Sequence, residues 1–181
     1  MSAGGRSGGG GPLTITIDTS VINARCSLPD MNRIERWHAE GRVALHTPPP
    51  VIREARTHRC AKGRALYAGK AAAFRKGRRA GPWRGKEGAL APREAAAVLF
   101  PHTRLRAMTE SQRRDAEILS AHHRLRHDIL LTLNSRHFIR GSRRERLARD
   151  FGIRVMTPAE FVALAGRTPE LLAGANGGDS A

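Results

Sequence analysis

The sequence predicts an α/β fold in which helices cover both faces of a mostly parallel central sheet. Short β-branched and apolar segments recur along the chain, and segments with the periodicity of an amphipathic helix lie between them. Strands that alternate with helices favour a parallel sheet, because two parallel neighbours need a crossover connection. With 181 residues, the chain has room for one domain of ordinary size, a single α/β/α sandwich.

Four segments have the pattern of a strand. They read LTITI at 13–17, RVALH at 42–46, ILLT at 129–132 and IRVM at 153–156. If these strands are parallel, their carboxyl ends lie at one edge of the sheet. Open α/β sheets bind their ligands at that edge.

Helical spacing is seen between the strands. It is set by Met31, Ile34 and Trp37, by a segment that begins at the prolines 48–50, and by Ile118, Ala121, His122 and Leu125. After the last strand, Thr157 and Glu160 form a capping box with Pro158 at the first helical position. The last helix is therefore expected to begin there and to run through Phe161 and Leu164.

Composition suggests where the domain begins and ends. Residues 1–12 are Gly-rich and lack periodicity, so we expect a flexible tail there, and we expect the same of 166–181. The domain is then expected over 13–165. Within it, residues 56–100 form a basic segment, and the sequence leaves open whether this segment is ordered or a flexible insertion.

The charge of the chain favours a polyanionic partner. Lys and Arg number 32 against 16 Asp and Glu, which gives a formal net charge of +16. The run from Arg56 to Lys86 contains no acidic residue, so the positive charge is concentrated there. Nucleic acid is the expected partner. Its phosphates are expected to contact four residues of this run, namely Arg75, Lys76, Arg78 and Arg79.

Cysteine and histidine indicate the setting of the protein. Cys26 and Cys60 are expected to be free thiols, and the sequence has no apolar stretch long enough for a signal or membrane segment. We therefore expect a cytoplasmic protein without a membrane partner. His123 and His127 stand four residues apart, but no Glu follows His123 and no Cys-x-x-Cys adds ligands, so the spacing does not favour zinc.

Acidic and amide residues fall at positions where a site is expected. Asp18 and Asn134 follow the first and third predicted strands, while Glu54 and Asp115 lie on apolar faces of predicted helices. Taken alone, Asp18 is explained better as a helix cap, and Glu54 as a partner of the helix dipole. Together they predict a cluster of oxygen ligands for Mg²⁺ or Mn²⁺, an ion that can activate water for phosphodiester hydrolysis.

Five segments together resemble the PIN-domain ribonucleases, many of which are VapC-type toxins of toxin–antitoxin modules. The segments are IDTSVIN at the first strand, HTPPPVIREAR around Glu54, DAEILSAHH from Asp115, LLTLNSRHF at the third strand and FGIRVMTPAEF at the end. The resemblance implies that Asp18, Glu54 and Asp115 bind the metal and that Ser20 and Thr132 support the water or the phosphate. It also implies a small antitoxin protein as a partner, and it leaves a homodimer open.

The chain departs from this family at the fourth acidic position. Asn134 stands where the family often has Asp, and His137 stands where other members carry an acid three residues further on. An amide oxygen brings no negative charge, so weaker cation binding is expected, and Asn134→Asp is expected to tighten it. The resemblance thus predicts a metal-dependent endoribonuclease. The alternatives are a catalytically weak or inactive RNA-binding protein on a PIN-like fold, and a basic protein that binds ribosomes or DNA without a metal site.

Overall fold

A computed structural model describes residues 11–24, 28–56 and 90–173, except for the side chains of 54–56. The strands are β1 (Leu13–Ile17), β2 (Val43–His46), β3 (Ile129–Leu131) and β4 (Arg154–Met156). They form a four-stranded sheet in the order β2-β1-β3-β4, and every neighbouring pair is parallel. The predicted α/β class with a parallel central sheet is therefore confirmed.

The helices of the described residues occupy the segments where helical spacing was found and several others. They are α1 (Thr19–Ala24), α2 (Pro29–Ala39), α3 (Pro49–Arg56), α4 (Pro92–Leu99), α5 (Glu110–Leu125), α6 (Arg143–Phe151) and α7 (Pro158–Arg167). Short 3₁₀ helices cover Leu105–Ala107 and Pro169–Leu172, and a π-helical turn covers Ser135–Ile139. In the described ranges, none of the helices has the length and apolar character needed to cross a membrane.

The helices form two layers around the sheet. In one layer α2 packs against α7, while in the other α5 packs against α3 and α4, and α4 packs against α6. The faces predicted from spacing are the buried ones, since Met31, Ile34 and Trp37 all point from α2 into the core. Trp37 meets Phe161 of α7 edge to face, with ring centroids 6.0 Å apart. The layers thus close an α/β/α sandwich.

The predicted start of the last helix is also confirmed. The Thr157 hydroxyl accepts a hydrogen bond from the Glu160 amide at 3.2 Å, and the Glu160 carboxylate accepts one from the Thr157 amide at 2.8 Å. Pro158 takes the first helical position, where its missing N–H costs nothing. This cap sets the direction in which α7 leaves β4.

The packed domain is larger than composition suggested at two places. At the end of the basic segment 56–100, whose order the sequence left open, Leu90, Leu99 and Phe100 are buried and α4 packs against both α5 and α6. Beyond the expected end at 165, Leu172 is buried in the core as well. Near Leu90 and near Leu172, a few apolar side chains pack into the core although the neighbouring sequence is basic or Gly-rich.

A buried histidine cluster lies between β1 and α5. The hydroxyl of Thr16 is 2.9 Å from Nδ1 of His122 and 2.8 Å from Nδ1 of His127, and the ring of His46 stacks on that of His127 at 4.3 Å. A hydroxyl donates one hydrogen bond and accepts up to two, so at most one of the two Nδ1 atoms accepts the Thr16 proton. Burial lowers the pKa of His122 to about 3 and that of His127 to about 4, with smaller contributions from neighbouring histidines.

Candidate functional site

A cleft opens at the carboxyl edge of the sheet, above β1 and β3. The order β2-β1-β3-β4 means that the chain leaves β1 toward β2 on one side, while β3 continues toward β4 on the other. Open α/β sheets have their binding crevice at such a change of direction. Asp18 directly follows β1, and Thr132 directly follows β3, so both lie where this crevice forms.

Asp18 is held by hydroxyl groups from both sides of this crevice. Its side chain is buried, and its Oδ2 accepts hydrogen bonds from Ser20 Oγ and from Thr132 Oγ1, each at 2.7 Å. The Ser20 oxygen also accepts from the Leu133 amide at 3.0 Å, and the Thr132 oxygen accepts from the Asn134 amide at 2.9 Å. The loops that follow β1 and β3 are thus tied together through one carboxylate oxygen.

Asp115 approaches the same cleft from the first turns of α5. Thr109 and Gln112 form a capping box that fixes the start of this helix, and the buried side of the helix carries Asp115 toward the sheet. Its Oδ2 accepts a hydrogen bond from Asn134 Nδ2 at 3.1 Å and lies 2.5 Å from Nδ1 of His137. Both partners come from the loop after β3, the loop that also holds Asp18.

The turn at 135–139 fixes Asn134 and His137. Asn134 Oδ1 accepts a hydrogen bond from the His137 amide at 3.2 Å, which caps the turn, and Phe138 is fully buried beneath it. Arg143 donates to the carbonyls of Leu99, Arg136 and Arg140 at 2.8, 3.2 and 3.0 Å. Because side chains, backbone and core all hold this turn, its two polar residues present a defined geometry to Asp115.

The two carboxyl groups influence each other electrostatically. Burial of the Asp115 carboxyl and the nearby charge of Asp18 raise the pKa of Asp115 to about 6, although hydrogen bonds from His137 and Asn134 lower it. Like charges in a poorly hydrated place favour the uptake of a proton or the binding of a cation. The cleft is therefore suited to a positively charged ligand.

The cleft has a volume of about 310 Å³ and brings together three of the residues predicted from strand ends and helix faces. Its lining residues are Asp18, Thr19, Ser20, Asn23, Ser111, Arg114, Asp115 and Asn134. Asn23, Ser111 and Arg114 were not among the predicted residues, since exposed polar side chains leave no periodic signal. The one signal for Arg114 was that it directly precedes Asp115 on the same helix.

Several predicted residues lie outside the described part of the chain. The backbone of Glu54 belongs to α3, which packs against α1 and α5, but its side chain is not described. Arg75, Lys76, Arg78 and Arg79, predicted to contact RNA, and both cysteines also lie outside it. The placement of these residues relative to the cleft therefore stays a prediction.

The donor set of the cleft fits a hard divalent cation. Asp18 and Asp115 supply two carboxylates, and Thr19 Oγ1, which also lines the cleft, is buried without a hydrogen-bond partner among the described residues. Oxygen donors of this kind suit Mg²⁺ or Mn²⁺. In the ranges 11–24, 28–53 and 90–173, no three His, Cys, Asp or Glu side chains are grouped so that they could hold a metal ion. A third acidic ligand would have to come from outside these ranges.

The fold and the cleft define the class of this protein as an α/β/α sandwich with an acidic cleft at the carboxyl edge of its parallel sheet. Comparisons of the chain with protein-family models, with curated protein sequences and with solved structures yield no significant match.

Proposed function

We propose that this protein is a metal-dependent endoribonuclease that hydrolyses RNA phosphodiesters. The observation that supports this most is the position of Asp18 and Asp115, two buried carboxylates that are 97 positions apart in the sequence and line one cleft. A buried pair of like charges is destabilising unless a cation or a proton is bound. Proteins retain such strained arrangements mainly at functional sites.

The residues that would hold Mg²⁺ or Mn²⁺ are Asp18 and Asp115, with Glu54 as the third ligand implied by the resemblance to PIN-domain ribonucleases. A bound ion would lower the pKa of a water molecule and offset the charge of a phosphate oxygen. Ser20 and Thr132 keep one oxygen of Asp18 in place through their 2.7 Å hydrogen bonds. Binding a substrate phosphate then requires little reorganisation of these groups.

Arg114 supplies positive charge at the cleft itself. It lines the cleft one residue before Asp115, and its guanidinium lies 2.5 Å from the highly exposed carboxylate of Glu110. An ion pair this exposed contributes little and exchanges readily for another anion. The guanidinium is therefore placed to bind a phosphate oxygen of RNA next to the carboxylates.

RNA binding is expected to depend strongly on salt, because a chain with a net charge of +16 releases counterions when it neutralises phosphates. Replacing Arg75, Lys76, Arg78 and Arg79 together with Ala should lower the slope of log affinity against log salt by about 3. Fluorescence anisotropy with a labelled single-stranded RNA measures this slope. An unchanged slope would show that these four residues do not contact phosphate.

The deciding experiment is cleavage of a mixed RNA pool at increasing Mg²⁺ or Mn²⁺ by the parent, by Asp18→Asn and by Asp128→Asn. Asp128 is the matched control, because its carboxylate lies at the opposite edge of the sheet, where Thr14 donates to it at 2.8 and 2.7 Å. We expect Asp18→Asn to reduce cleavage to background while RNA binding persists, since phosphate contacts come from basic residues. Asp128→Asn should still cleave.

The second candidate function is an RNA-binding protein that is catalytically weak or inactive. It is favoured by the bonds of Asp115, whose Oδ2 already has Asn134 and His137 as partners. If the parent binds RNA but shows no metal-dependent cleavage at any concentration, this second function replaces the first.

The resemblance to VapC-type toxins extends the proposal to the cell. A ribonuclease toxin would act in the cytoplasm and would be covered by a small antitoxin protein. Induced expression of the parent should then arrest growth, whereas Asp18→Asn should not. Growth arrest by both proteins would separate toxicity from cleavage and would count against a toxin that acts on RNA.

A further inference from the structure

The loop after β3 contains an amide where the resemblance leads one to expect a fourth acid. We infer that Asn134 is a positioning residue for Asp115 and not a substitute metal ligand. This inference rests on the proposed function, because it concerns how the site holds its cation. The sequence led us to expect that Asn134→Asp tightens cation binding, whereas a positioning role predicts that this substitution does not.

Both ends of the Asn134 side chain already have partners. Its Nδ2 donates to Asp115 Oδ2 at 3.1 Å, and its Oδ1 accepts from the His137 amide at 3.2 Å. The oxygen is the atom through which an amide would bind a metal, and here it caps the turn at 135–139. Coordination through Oδ1 would have to use the second lone pair of this oxygen or displace the His137 amide, so the cap restricts how an ion can approach it.

The bond from Asn134 acts together with that of His137. Both reach Oδ2 of Asp115, so the orientation of this carboxylate is fixed by two groups from one turn. Asp18 is fixed in the same way, through Oδ2 and two hydroxyl groups. Each carboxylate of the cleft is thus oriented by a pair of neutral or proton-donating side chains, and such outer partners strongly influence metal affinity.

An acid at position 134 would act differently from the amide. Aspartate retains the cap on the His137 amide, since its oxygen can accept that bond. Its other oxygen, however, would face Oδ2 of Asp115 at the place from which Nδ2 now donates, so a hydrogen bond would become a contact between like charges. The added negative charge and the lost bond therefore have opposite effects on cation binding.

Isothermal titration calorimetry of Mn²⁺ binding by the full chain separates these effects. Asn134→Ser retains a cap acceptor but is too short to reach Asp115, so we expect binding to weaken about tenfold. Asn134→Asp should bind Mn²⁺ no more tightly than the parent. The matched control is Asn23→Asp, which adds the same charge to the exposed rim of the cleft and leaves Asp115 untouched, and it should bind about threefold more tightly.

The role of Asn134 can also be tested on the parent protein alone, so that the test does not depend on whether a variant folds. During a titration with Mg²⁺ followed by ¹H–¹⁵N NMR, the His137 backbone amide should keep the slow exchange of a hydrogen-bonded group. A metal ion that takes Oδ1 away from this amide would instead make the amide exchange faster.

The outcomes distinguish this inference from the proposed function. Tighter Mn²⁺ binding by Asn134→Asp than by the parent, parent-like binding by Asn134→Ser, or faster exchange of the His137 amide on Mg²⁺ binding overturns the role of Asn134 alone. A parent that binds neither Mn²⁺ nor Mg²⁺ overturns the proposed function, and this inference with it.

Discussion

Helix α5 passes over two buried polar clusters that differ in what their groups bind. Near its start, Asp115 lies 6% exposed beside Asp18, and both line a cleft of about 310 Å³. Near its end, His122 lies 1% exposed against Thr16 and beside His127. In the first cluster like charges meet around an open space. In the second, neutral rings and a hydroxyl satisfy one another.

This difference teaches that burial of titratable groups does not by itself indicate a functional site. Both clusters shift pKa values by burial, upward for Asp115 and downward for the histidines. The carboxylates are brought together with room for a ligand, and Arg114 lines the same cleft. Histidines that are neutral and hydrogen-bonded to a strand residue stabilise the fold instead.

The largest expected effect is on the histidine cluster. Thr16→Val keeps the shape of the side chain but removes the hydroxyl between two buried Nδ1 atoms, so we expect a loss of about 3 kcal/mol in the free energy of unfolding. The matched control is Thr14→Val on the same strand, whose hydroxyl donates to the half-buried Asp128 carboxylate and accepts from the Asp128 amide; it should cost about 1 kcal/mol, because water can reach both partners. Urea unfolding measures both. Equal losses would show that the Thr16 hydroxyl does not organise the histidines.

The next effect is acid destabilisation. Because folding lowers the pKa of His122 to about 3 and of His127 to about 4, from 6.5, the folded state binds fewer protons than the unfolded state in that range. The contribution of these two histidines to the free energy of unfolding is therefore full above pH 6.5 and is lost as the pH falls toward 4. Asp115 has the opposite effect on the free energy of unfolding: because folding raises its pKa from 3.8 to about 6, the folded state gains stability from this group as the pH falls. We expect a net loss on the order of 2–3 kcal/mol between pH 7 and 4.5.

Urea unfolding across this pH range tests the sign of each contribution. Asp115→Asn removes the opposing carboxyl, so its stability should fall more steeply with decreasing pH than that of the parent. A parent whose stability does not change between pH 7 and 4.5, or an Asp115→Asn variant with a flatter profile, would contradict the assignment of these groups.

The smallest expected effect is on the free energy of unfolding when one of the two cleft carboxylates is removed. In the absence of metal, Asp115→Asn should raise the free energy of unfolding at pH 7.5 by about 1 kcal/mol, because it removes one of two like charges that burial makes unfavourable. Asp128→Asn should lower it, since that carboxylate accepts two hydrogen bonds from Thr14. The measurement is urea unfolding in a chelator. A less stable Asp115→Asn would mean that its bonds outweigh the charge repulsion.

Local patterns accounted for much of the fold. Alternating strand and helix segments predicted the parallel sheet, and the Thr157 capping box predicted the start of α7. The order of the strands depends on contacts between distant parts of the chain, which periodicity does not report. For the same reason, the sequence left the order around Leu90 open and placed Leu172 in a flexible tail, although both residues are buried. Composition averages over many residues, whereas a few apolar side chains decide whether a segment packs.

The candidate site was predictable in part. Asp18 and Asn134 were found because they follow strands, and Asp115 because it lies on the apolar face of a helix. The contact between Asp115 and His137 could not be predicted, because it depends on the conformation of a turn that the sequence does not reveal. The same holds for Thr16 and His122, which are separated by 106 positions in the chain.

The loop after β3 has a consequence for how fast its backbone exchanges with solvent. Its amides have acceptors at nearly every position, although the loop belongs to no sheet; they are those of Leu133, Asn134, Ser135, His137 and Phe138. Deuterium should therefore enter this loop almost as slowly as it enters β3 itself. A loop that is already ordered loses little conformational entropy when a ligand binds, so more of the contact energy contributes to affinity.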